Sequence, residues 1–136
     1  GVDAANFFKV HVTHLYGGWW LNATLRLTGE AALEFILQEQ NDVVLFLSSE
    51  SAVNTAFYGT IPQSGFMQDC LLVLYENCYA HQTLFPVFKT GGGIFNRALC
   101  RRAYRELEGV ELNEAIQFYG TETLHTLVQD ARRQEA

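Results

Sequence analysis

A chain of 136 residues, 49% of them hydrophobic, is long enough for one domain around a single core and too short for two ordinary ones. A formal charge of -6 argues against a general polyanion binder, and three cysteines without a close pair exclude a disulfide framework or a zinc signature and fit a reducing compartment. No apolar run approaches the ~20 residues that span a bilayer and no signal peptide opens the chain, so Asn22-Ala23-Thr24 reads as a chance sequon.

Phe7 to Leu27 reads as a β-hairpin turning at Gly17-Gly18. In that register Phe8, Val10, Val12 and His14 share an apolar face with Leu21, Ala23, Leu25 and Leu27, while Lys9, His11, Thr13, Asn22, Thr24 and Arg26 share a polar one. His11 and His14, an odd number apart, then point to opposite sides and form no metal pair. Lys9 falls opposite Arg26, and Leu15 opposite Trp20. Thr28 is placed to cap a helix from Gly29 to about Gln40, and Val43 to Leu47 is a short, fully apolar strand. Ser51 to Gln63 has turn and loop character.

Ser64 to Phe88 dominates the pattern. Phe66, Met67, Cys70, Leu71, Leu74 and Cys78 recur at helical spacing, which makes one buried helix. A second reading, favoured by Pro86, splits the run at Glu76, so that Asn77 caps a new helix with Cys78 in its first turn. Thr90 to Gly93 is a flexible joint without the lysine ending of a phosphate loop, so no nucleotide or other cofactor is expected. Ile94 to Glu108 is an amphipathic helix with Arg97, Arg101 and Arg105 in one stripe, Arg102 beside it and Lys89 before it: a basic patch for a string of phosphates or carboxylates. Gly109 ends that helix, Leu112 to Tyr119 is another short one, and Thr121 caps the last.

His11-Val12-Thr13-His14-Leu15-Tyr16-Gly17-Gly18, followed by Ile61-Pro62-Gln63-Ser64 and then by Glu76-Asn77-Cys78-Tyr79-Ala80-His81, resembles the two boxes of the H-box/NC family. That family holds lecithin:retinol acyltransferase-like phospholipid acyltransferases and the non-proteolytic picornavirus 2A proteins, and is related in fold to NlpC-type cysteine peptidases. Length, the Gly1 start that a viral protease cutting before glycine leaves, and a polar end from Asp130 to Ala136 make the kobuvirus-like 2A branch the better likeness.

The resemblance implies one α+β domain over residues 1–136, an N-terminal antiparallel hairpin or small sheet packed against helices in NlpC/LRAT-like fashion. It implies a non-structural protein of the host cytoplasm, acting in viral RNA replication or particle formation by binding viral or host proteins, with RNA ranked below protein. The alternative it carries is a thiol acyltransferase or phospholipase: His11, or His14 as the fallback, takes the proton of Cys78 beside Asn77, and the thiolate attacks an acyl ester. Only Asn22 or Thr24 stands where active members keep the residue that orients the base, so binding is favoured over catalysis. A third reading is an unrelated α+β interaction domain. A charged fraction of only 18% and the pair Leu15 and Trp20 add an expectation of self-association.

Overall fold

The computed structural model describes residues 2–48, 52–80 and 92–132, and among them the chain is α+β. The order is α1 (Val2–Tyr16), β1 (Gly18–Leu21), β2 (Leu25–Leu27), α2 (Glu30–Gln38), β3 (Val43–Leu47), β4 (Val53–Thr60), α3 (Gly65–Ala80), α4 (Gly92–Leu107), β5 (Ile116–Tyr119), α5 (Thr121–Leu127) and β6 (Val128–Asp130). Four strands form a mixed sheet in the order β1-β4-β3-β5, parallel only between β3 and β5, and β2 pairs antiparallel with β6 in a second sheet.

The central strand β3 is apolar throughout because both of its faces are covered. Val43 and Leu45 enter a core with Val10 of α1, Phe66, Met67, Cys70, Val73 and Leu74 of α3, and Ile94, Phe95 and Ala98 of α4. Val44 and Phe46 enter the other core, with Ala32, Phe57, Leu124, Leu127 and Val128. On β4, Val53 belongs to the first core and Phe57 to the second, although an even spacing should keep them on one face. The pairing explains this: Val44 lies opposite Gly59 and Phe46 opposite Asn54, so two steps along β3 span five along β4. The odd excess inverts the alternation, as a bulge does.

The expected N-terminal hairpin is overturned. Residues 2–16 are helical, and their buried positions Lys9, Val10 and Thr13 follow helical rather than alternating spacing. Thr13 is satisfied inside by donating to the Lys9 carbonyl at 2.8 Å and by a 2.9 Å bond with the Tyr58 hydroxyl. Gly17-Gly18 ends this helix instead of turning a hairpin: Gly17 has φ +66°, and its N–H donates to the Thr13 carbonyl. A β-carbon at Gly17 would lie 2.5 Å from the Pro62 nitrogen, so the residue is fixed by crowding as well as by conformation.

Residues 53–60, expected as loop, form β4, the strand between β1 and β3. Gly59 is there because a β-carbon would fall 2.7 Å from the Trp19 indole. The short helix expected over Leu112 to Tyr119 is also overturned, since Ile116–Tyr119 pairs with β3. Neither threonine cap forms. Gly29 and Gly120 occupy the two cap positions, and the Thr28 hydroxyl donates to the Thr126 carbonyl.

Candidate functional site

Helix α3 is continuous through Asn77 and Cys78, which settles the choice between one helix and two over the described residues. Its start is well fixed. The Ser64 hydroxyl accepts from the Met67 N–H at 3.1 Å, and the Glu114 carboxylate accepts from the Gly65 and Phe66 amides at 2.8 and 3.0 Å. Cys78 therefore stands in the last turn of α3, not in a first turn whose amides would favour a thiolate. It is half-buried against the first core. Asn77 is buried, and its side-chain oxygen accepts from Arg97 Nη1 at 2.9 Å.

His11 comes to α3 from α1, not from a strand. Its Nδ1 lies 2.7 Å from the Phe7 carbonyl, an acceptor only, so Nδ1 carries the proton and donates. Nε2, 2.6 Å from the Tyr75 hydroxyl, then accepts from the phenol when the ring is neutral. The ring is also stacked on Phe7, with centroids 4.6 Å apart. Both nitrogens of the expected base are thus engaged, and the partner on α3 is Tyr75, one turn before Cys78. His14 is half-exposed on α1 near its C-terminal end, and no apolar hairpin face exists to turn it toward Cys78. His81 lies outside the described residues. No family model, curated protein or solved structure matches the chain.

The arginine stripe is real, but its side chains run along α3. Arg101 bonds Glu76 at 2.5 Å, with Arg97 at 3.5 Å from the same carboxylate; Arg105 bonds Asp69, and Arg102 bonds Glu114 at 3.2 Å. Each described arginine of the stripe meets an acceptor within the fold, which lowers the field it offers to phosphates. Lys89 lies outside the described residues. Two further pairings disappear with the hairpin: Arg26 on β2 lies opposite Gln129, not Lys9, and Trp20 on β1 lies opposite Tyr58, while Leu15 belongs to α1.

Of the cysteines, Cys70 is fully buried, and burial with the Asp69 charge beside it pushes its thiol well above the ordinary range. Cys100 is exposed. Among the described residues no cluster of histidine, cysteine and acids is arranged to hold a metal ion, and no helix is long and apolar enough to cross a membrane.

Tyr75 and Asp69 were not legible as interacting groups, and Lys9 was expected opposite Arg26 on a hairpin face, not inside the fold. Lys9 is the most unusual: only 4% exposed, it donates to the Thr55 carbonyl at 3.0 Å, and burial lowers its pKa from 10.5 to about 8. The unfolded chain keeps this proton up to about 10.5 while the folded chain releases it near 8, so this group makes stability rise with pH between those values. Below the window its buried charge costs about 3 kcal/mol. The raised Tyr58 and Cys70 groups oppose the trend, because the fold holds their protons where the unfolded chain gives them up. The Lys9 share is therefore read as a difference: urea unfolding of Lys9→Met against wild type is expected to favour the variant at pH 7 and to lose that advantage by pH 10. An equal advantage at both pH values would refute the assignment.

Proposed function

We propose that the chain is a binding protein, acting without Cys-His acyl transfer, in the role that its likeness to the H-box/NC viral proteins implies: RNA replication or particle formation in the host cytoplasm, through protein contacts. The observation that carries the non-catalytic half is the His11 ring, whose Nδ1 donates to Phe7 and whose Nε2 is held by Tyr75. A general base must have a nitrogen within hydrogen-bond reach of the proton it takes. The viral role rests on the order of the two boxes, and so does a finer NlpC/LRAT-like likeness within the α+β class. A binding role also holds for an unrelated α+β interaction domain, so it does not depend on the family.

One arrangement favours the enzyme reading enough to keep it as the alternative. Tyr75 and Cys78 are three residues apart on α3, and residues so spaced are neighbours on a helix surface.

Acylation separates the two. With a nitrophenyl acyl ester, a thioester at Cys78 is expected to form no faster than at exposed Cys100, as read by peptide mass spectrometry, and Tyr75→Phe is expected to leave that ratio unchanged. Acylation of Cys78 at ten times the Cys100 rate, lost in His11→Ala, would replace binding with acyl transfer.

A further inference from the structure

Lys9 opens onto a cleft of about 360 Å³ between α1 and the β1–β2 connection, lined also by Asn6, Trp20, Asn22 and Thr24. Its chemistry is one-sided. The described lining residues include no acid, so the buried ammonium has no carboxylate partner there. An ammonium carries three N–H donors, of which the Thr55 carbonyl of β4 takes one. The Trp20 indole N–H, which can only donate, is 2.6 Å from Asn22 Oδ1. That bond fixes the Asn22 amide so that its NH₂ end remains the donor. The indole ring lies 5.9 Å from Lys9 Nζ, and Ala5 and Ala23 complete the wall.

Buried charge is normally met by an opposite charge, and an ammonium with a neighbouring amide donor matches the two oxygens of a carboxylate. The indole and the two alanines match an apolar body attached to it, and the cleft volume is at the small end of ligand sites. We propose that this cleft binds a small organic carboxylate, with Lys9 holding its oxygens, Asn22 supplying a second donor and Trp20 carrying its apolar part. The proposal goes beyond the binding role above and stands apart from His11 and Cys78.

The chain has two tryptophans, so a ¹⁵N spectrum carries two indole signals, and Trp20 is read against Trp19. Benzoate is expected to move the Trp20 indole resonance saturably, while benzamide, the same shape without the charge, leaves it in place. Lys9→Met should weaken benzoate at least about tenfold, the effect of a lost charge-assisted hydrogen bond. The dispersion of the Trp19 signal reports whether that variant is folded. Calorimetry on the wild type does not depend on the variant: affinity should fall about tenfold or more between pH 7 and pH 9.5, where the free amine has lost its proton. No titratable side chain among the described lining residues competes with Lys9 for that effect. An unmoved Trp20 signal, an equal response to benzamide, or an affinity unchanged at pH 9.5 overturns the proposal. Displacement of benzoate by inorganic phosphate at equal concentration would overturn the carboxylate assignment in favour of a phosphate site.

Discussion

Glu114→Ala is expected to lower the free energy of unfolding by about 3–5 kcal/mol, measured as a shifted urea midpoint at constant slope. One carboxylate does three things here. Its two oxygens accept from the first amides of α3, at 2.8 and 3.0 Å, and one of them also meets Arg102 at 3.2 Å. Truncation leaves those amides without acceptors and leaves a guanidinium that is only 8% exposed without its counter-charge. The coupling makes the effect separable from simple cavity formation. Arg102→Ala combined with Glu114→Ala should cost less than the sum of the two single changes, because the second removes a charge the first has stranded. A loss below about 1 kcal/mol for Glu114→Ala, or strict additivity, would remove Glu114 as the link between α3 and α4.

What the sequence revealed of this fold follows from where burial is uniform. Val43 to Leu47 was legible as a strand because both its faces meet a core, and the helix at Glu30–Gln38 because one side of it carries Ala32, Phe35 and Ile36 into the second core. Helix α1 was hidden by its own composition. Its inward stripe contains Lys9, which donates to the Thr55 carbonyl, and Thr13, satisfied by Tyr58 and the helix backbone, while Phe8, Val10 and Val12 imitate a strand. Glycines helped the wrong reading, since a pair suited to a hairpin turn suits a helix end equally well. Strand β4 was missed because its alternation breaks at the bulge, and Asn54 and Thr55 then read as loop. The Leu112 to Tyr119 error has another origin: a four-residue strand pairing in parallel at the sheet edge leaves too little pattern to read.

For the candidate site, sequence order put His11 and Asn77-Cys78 in one chain but carried no information on which hydroxyl the imidazole would find. Tyr75 was visible as a residue three before Cys78, yet only the packing of α1 on α3 places it at Nε2. The arginine periodicity was correct as a face of α4. Its partners Asp69 and Glu76 were illegible, because they belong to a helix distant in sequence.

Those carboxylate partners decide what is lost when an arginine of the stripe is removed. Arg105→Ala is expected to destabilise the chain by about 1–3 kcal/mol: the Arg105 side chain is itself 37% exposed, so the cost is that of leaving the buried Asp69 carboxylate without its donor, not that of breaking a pair buried on both sides. Asp69 is the member left behind. It is buried, its Oδ1 accepts from Arg105 Nη2, and its Oδ2 meets no hydrogen-bond donor among the described residues. An isolated carboxylate in that position keeps the desolvation cost and loses the compensating charge. Asp69→Ala added to Arg105→Ala should therefore recover part of the loss, leaving the double variant more stable than Arg105→Ala. Arg97 and Arg101 pair with Glu76, itself 45% exposed, so their removal strands no buried charge and Ala there should cost about 1 kcal/mol or less each. The same ordering bears on RNA. A stripe that bound phosphates would lose RNA affinity in the Arg97, Arg101, Arg105 triple alanine variant, with a flatter salt dependence. A stripe that holds α4 to α3 loses stability instead. RNA titrations across salt, normalised to the folded fraction, are expected to superimpose for the wild type and the triple variant, and a reduced salt slope in the folded variant would return the stripe to the role of an anion site.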